Sequence, residues 1–137
     1  MEENRLAVPD FPMNQVNPIN LAFMGDSVYE IYVREHIVRT FPTLKIQEIH
    51  RKAVSFVKAE SQANVIRTLI DRKILTEEER DWVRRGRNQH SMTPKNASIS
   101  DYRYATGLET LVGYLYLSRQ QERMEELIRY AIEIVEE

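Results

Sequence analysis

Leu21-Ala-Phe-Met-Gly-Asp-Ser-Val-Tyr-Glu-Ile-Tyr-Val33 is apolar on several faces at once, and its reading decides the fold. A helix with so wide an apolar surface belongs at the centre of a bundle rather than on its edge. Its limits are written on either side. Asn17-Pro18 supplies a side-chain acceptor for free amides and a proline suited to the first helical position. Phe41-Pro42 closes the segment, because the residue before a proline is pushed out of the helical region. Before this helix, residues 1–16, with Pro9 and Pro12, read as an extended lead-in.

Beyond it, a second helical stretch runs from about Lys45 to Lys73, with a break expected near Ala59–Ser61. Ile46, Ile49, Ala53, Phe56 and Val57 recur at spacings of three and four, as do Ala63, Ile66, Leu69 and Ile70. Thr76 and Glu79 form a capping-box pattern that opens a short helix carrying Trp82 and Val83. Residues 86–99 are the long polar, breaker-rich stretch and read as a basic loop. A fourth helix spans about Ser100 to Leu117, and a last amphipathic one about Arg119 to Val135. No strand-like alternation competes. The expectation is one all-α domain over residues 1–137.

Composition removes several classes of function. The chain has 137 residues, enough for one domain to bury roughly two thirds of its unfolded surface. It contains no cysteine, which excludes a disulfide scaffold, a thiolate zinc site and a cysteine nucleophile. No basic leader runs into an apolar segment, and no apolar run approaches the ~20 residues needed to cross a bilayer. A cytoplasmic protein without a membrane partner is therefore expected. His36, His50 and His90 lack metal-ligand spacing, and neither a Gly-rich phosphate loop nor a Ser/His/Asp arrangement is present. The tyrosines fall mostly within the helices and read as core.

Two carboxylates stand where apolar residues are expected. Asp26 lies in the middle of the first helix beside Gly25. An aspartate is rarely buried unless paired or metal-bound, and a mid-helix glycine costs about 1 kcal/mol relative to alanine. The fourth helix repeats the pattern, with Glu109 the sole charge in 105–117, Gly113 one turn on and Thr106 almost one turn back. Two core-like helices, each with a carboxylate near a glycine, suggest a shared site, and hard oxygen ligands of this kind suit Mg²⁺. The plainer alternative pairs each carboxylate with an arginine or a backbone group in an ordinary bundle.

The formal charge of −2 conceals an uneven distribution. Residues 84–95 hold Arg84, Arg85, Arg87 and Lys95 with no acid, whereas acids gather at 77–79 and in the last helix. A local basic surface can hold phosphates whatever the net charge. The arginines and lysines of 45–73, Arg67 among them, read as a solvated helix face.

Met24-Gly-Asp-Ser-Val-Tyr-Glu30, with Asn20-Leu-Ala-Phe before it, resembles the signature helix of ribonuclease III domains, and 107–117 resembles that family's second acidic motif. Arg84-Arg-Gly-Arg-Asn88, Pro94-Lys-Asn96 and Tyr102-Arg-Tyr-Ala-Thr106 are similar to Mini-ribonuclease III, a branch lacking a separate double-stranded RNA-binding domain. The resemblance covers about residues 17–118. It implies an α-helical endonuclease-domain bundle, a homodimer, and Mg²⁺-dependent hydrolysis of double-stranded RNA that leaves 5′-phosphates. It further implies action on 23S ribosomal RNA precursors in the cytoplasm, without a nucleotide cofactor. Asp26 and Glu109 match the catalytic, metal-binding acids, while Arg84, Arg85, Arg87, Asn88, Lys95 and Asn96 are the implied RNA contacts. Ala22 and Thr106 stand where longer relatives carry two more acids, which puts a two-metal arrangement in doubt. Two other readings compete: a non-catalytic duplex-RNA-binding or ribosome-assembly factor with a degenerate fold, and a helical dimerisation module.

Overall fold

The computed structural model describes residues 11–89 and 98–137, and within them the chain is helical with no strand. The expectation of an all-α bundle therefore holds. After a 3-10 turn at Met13–Gln15 come α1 (Pro18–Thr40), α2 (Ile46–Val57), α3 (Ala59–Asp71), α4 (Glu77–Arg87), α5 (Ile99–Leu117) and α6 (Gln121–Glu136). α1 begins as its sequence dictates: the Asn17 side chain accepts from the Ile19 amide at 3.1 Å, and Pro18 follows. The Thr76–Glu79 capping box is complete, with each side chain accepting from the other residue's amide.

α5 is the spine. From Ala105 to Leu115 every residue is buried except Glu109, which is half-buried. α1, α3 and α4 pack around it, and α6 lies across α3 and α5. Such a helix has no solvated face to alternate with its apolar one, which is why its sequence reads as apolar all round.

Three boundaries differ from expectation. The break in the second stretch falls at Lys58, whose extended backbone ends α2 and starts α3. Ser61 Oγ and Gln62 Nε2 donate to the carbonyls of Ser55 and Val57, satisfying acceptors that the interruption frees. Neither glycine nor proline marks the spot, so the sequence carries only a blurred signal of it. The basic loop is shorter than 86–99, because α4 continues through Arg87 and α5 starts at Ile99. Gly86 is a packing residue inside α4: a Cβ there would meet Thr110 Oγ1 at 2.2 Å. The lead-in also includes the short turn at 13–15 instead of running fully extended.

Candidate metal and RNA site

The glycines in the two acidic helices make room for each other's backbone. A Cβ on Gly25 would stand 1.8 Å from the Glu109 carbonyl oxygen and 2.8 Å from the Gly113 nitrogen. A Cβ on Gly113 would lie 2.0 Å from the Leu21 carbonyl oxygen. α1 and α5 thus touch backbone to backbone at a reciprocal glycine contact, and this brings Asp26 to Glu109. Glycines also bring α4 close to α5, where Gly86 faces the Thr110 side chain and Gly107 faces Val83.

Asp26 is exposed and Glu109 half-buried, so the pair opens to solvent from one side of the bundle. Burial, then the charge of Asp26 and a hydrogen bond with it, push the Glu109 carboxyl up to about 9. No cation among the described residues neutralises this pair, so burial and the neighbouring Asp26 charge favour the protonated form of Glu109. The donor set therefore fits a hard divalent cation. No third His, Asp or Glu joins the pair among the described residues. Ala22 is buried, and the Thr106 hydroxyl donates to the Tyr102 carbonyl at 2.9 Å, back along its own helix. Mg²⁺ suits such a site, because it keeps several waters and takes one or two carboxylates.

The basic residues lie at the end of α4, and each is engaged differently. Arg84 pairs with Asp81 at 2.5 Å on an exposed face. The Arg85 guanidinium lies 4.1 Å from the centre of the Trp82 ring, which stacks in turn on Tyr114 at 4.8 Å. Arg87 donates through Nη1 to the Tyr104 hydroxyl at 2.8 Å. Neither Arg85 nor Arg87 has a carboxylate partner among the described residues, which leaves their charge available to an anion. Asn88 is exposed just past the helix. Lys95 and Asn96 lie outside the described residues.

Sequence reasoning missed the partner of Glu79. Arg123, from α6, grips it with two bonds of 2.9 Å and also donates to the Ile74 carbonyl. Burial alone would raise the Glu79 carboxyl, but Arg123 and Thr76 outweigh it and hold the group below its ordinary value. Arg67 was missed too: read as solvated, it forms an ion pair with Asp101 at 2.8 Å. Both pairings join residues far apart in the chain, so no local pattern announces them.

The sequence matches the Ribonuclease III domain family over residues 19–120. A protein of Clostridium tetani described as Mini-ribonuclease 3 is 46% identical over 126 residues, covering 91% of this chain and 82% of that one. The protein of the same description from Enterococcus faecalis is 45% identical over 124 residues, covering 90% and 93%. A crystal structure of a Fusobacterium nucleatum protein superposes with a TM-score of 0.79 at 25% identity, covering 88% of this chain and 95% of that one. The chain therefore belongs to the ribonuclease III family, in the Mini-ribonuclease 3 group.

Proposed function

We propose that the chain hydrolyses double-stranded RNA using Mg²⁺ held by Asp26 and Glu109. Membership of the ribonuclease III family makes it an endoribonuclease acting on duplex RNA. The observation that carries the finer reading is the acidic pair itself, assembled at a glycine contact and electrostatically incomplete without a cation. When bound, Mg²⁺ supplies an activated water and stabilises charge developing on the scissile phosphate. Asp26 and Glu109 fix its position, and the exposed side of Asp26 leaves room for the phosphate. Hydrolysis then leaves a 5′-phosphate and a 3′-hydroxyl.

Arg84, Arg85, Arg87 and Asn88, with Lys95 and Asn96, supply the RNA contacts. Duplex RNA is read by shape, 2′-hydroxyls and phosphates, because its major groove is too narrow for side chains. The natural substrate is the 23S ribosomal RNA precursor, and the compartment the cytoplasm. No helix among the described residues is long and apolar enough to cross a membrane.

The active form is a homodimer in which each subunit cuts one strand. Phe23, 82% exposed on α1, supports this together with the other exposed apolar residues of α1 and α2, Ile31, Val38 and Ile46, because contiguous apolar surface marks an interaction face. An apolar groove of about 480 Å³ between the end of α1 and α2 includes Val38, Ile46 and Ile49. Fifteen residues of helix put Phe23 about 22 Å from Val38, so two α1 helices packed antiparallel about a twofold axis bring each phenylalanine toward the other's groove.

Incubating the purified protein with duplex and single-stranded RNA, with Mg²⁺ or EDTA, tests the reading. Cleavage is expected of duplex alone, only with metal, and lost in Asp26→Asn while the helical signal and Tm persist. Undiminished cleavage by Asp26→Asn would remove Asp26 from the site. Binding without cutting by the wild type would leave the non-catalytic reading standing.

A further inference from the structure

Three helices converge on one tyrosine ring. Tyr104 on α5 has the Arg67 guanidinium, from α3, at 4.4 Å from its ring centre and the Arg87 guanidinium, from α4, at 4.9 Å. Arg67 is itself held on two sides, by Asp101 at 2.8 Å through Nη1 and by Ser100 Oγ at 2.6 Å through Nη2. Among the described residues Arg87 bonds only to the Tyr104 hydroxyl, at 2.8 Å. Among the described residues one carboxylate therefore serves two guanidinium groups, and it is committed to Arg67.

All three side chains are half-buried, so the surplus positive charge is partly withdrawn from water. A partly desolvated guanidinium without a counter-ion, beside a second guanidinium, is an anion site in waiting. The hydrogen bond to Tyr104 occupies part of the Arg87 fork, and its other donors stay free for a phosphate.

We infer that Arg67 and Tyr104 are positioning residues for RNA binding: they hold Arg87 pre-oriented as a phosphate contact and do not themselves touch the phosphate. An arginine free to sample its rotamers loses that freedom when it binds, and one already stacked has lost it in advance. Arg67 makes the ring a rigid platform by tying Tyr104's helix to α3. Two of its five donors are engaged by Asp101 and Ser100, and its charge is paired with the Asp101 carboxylate. The inference rests on the duplex-RNA reading above, and Arg67 belongs to none of the motifs that suggest that reading.

The test measures binding of a short RNA duplex across a salt series, with cleavage kinetics and Tm, for the wild type and four variants. Arg87→Gln should weaken binding and lower the slope of log K against log salt by about one phosphate contact's worth. Arg67→Gln and Tyr104→Leu should raise Kd and KM about five- to tenfold, leaving kcat and the salt slope unchanged. Arg67→Lys should not rescue, because an ammonium neither forks to Asp101 and Ser100 nor stacks as a plane. A reduced salt slope in Arg67→Gln would overturn the inference by making Arg67 a direct contact. So would unchanged Kd and KM, or a fall in Tm and kcat together, which marks a merely structural clasp. Failure of the wild type to bind or cut duplex RNA would instead overturn the underlying reading, so the two failures are distinguishable.

Discussion

Gly25→Ala is the sharpest perturbation of the acidic site that leaves its chemistry untouched. The added Cβ would lie 1.8 Å from the Glu109 carbonyl oxygen and 2.7 Å from its carbonyl carbon. Both are backbone atoms, so no rotamer change relieves the overlap. Restoring ordinary contact requires α1 to retreat from α5 by roughly 1.5 Å, across the most extensive helix pair in the fold. Overpacking of this kind costs about 3 kcal/mol, the upper end of the usual range, because a whole helix must move. Alanine returns about 1 kcal/mol as the better helix former. The net loss of about 2 kcal/mol corresponds to a fall in Tm of roughly 5–10 °C for a chain of this size. Activity should suffer more, since a displacement of about 1 Å between catalytic groups costs on the order of a hundredfold. Thermal unfolding by circular dichroism and Mg²⁺-dependent cleavage of a duplex measure the two effects. Gly107→Ala is the matched control, because its Cβ would meet Val83 Cγ1 and the Val83 carbonyl oxygen less severely, at 2.9 Å each, on the side of α5 facing α4. A Gly25→Ala protein with wild-type Tm and cleavage rate would refute the claim that backbone contact assembles the site.

Further outcomes follow from the same geometry. Because Glu109 is raised from 4.5 to about 9 in the folded chain, metal-free stability should be greatest below the lower value and fall as pH rises toward the upper one. Glu109→Gln should flatten that decline in Tm, and Mg²⁺ should stabilise the wild type more at pH 8 than at pH 6, releasing a proton detectable by calorimetry. A Tm independent of pH over this span would count against the strained pair. Lys73 ends α3 in the left-handed region with φ 58°, and the Ile74 amide reaches back to the Leu69 carbonyl at 3.1 Å. Lys73→Gly should therefore raise stability by about 0.5 kcal/mol in urea unfolding, less than the full conformational gain because the unfolded chain also becomes freer. The Tyr29 hydroxyl is buried without a partner, against a small cavity it shares with Leu111, Met124 and Ile128. Tyr29→Phe should stabilise the chain by about 1 kcal/mol, and a loss instead would mean that the hydroxyl has a bound partner.

What the sequence disclosed was whatever rests on near neighbours. α1 could be bounded from Asn17-Pro18 and Phe41-Pro42, and α4 could be started from Thr76 and Glu79, because caps act over one turn. Gly25 and Gly113 announced that something needed room, and the structure supplies the occupant: the opposite helix's backbone. Gly86 misled, since a glycine among arginines reads as loop until Thr110 is seen against it. Arg67 misled for the same reason, its partners Ser100 and Asp101 lying more than thirty residues away. Local chemistry is legible residue by residue, whereas a tertiary partner leaves a mark only where it forces an unusual residue.

The acidic last helix is the obvious objection to an RNA-binding protein of net charge −2, and its side chains answer it. Glu125 accepts from the Tyr32 hydroxyl at 2.6 Å, and Glu126 pairs with Arg123. Glu136 meets His36 at 3.0 Å, and Glu137, just past the helix, meets Arg72 at 3.0 Å. Glu125, Glu136 and Glu137 fasten this end of the chain to α1 and to the end of α3, and the charges of Glu126 and Glu137 are met by arginines within the protein. What remains is screened over about 8 Å at physiological salt. Arg85 and Arg87, by contrast, have no internal carboxylate among the described residues. The charge that a phosphate backbone meets is the charge left over after internal pairing, and at the end of α4 that remainder is positive. The total counts every acid alike, whether it faces RNA or holds a helix in place.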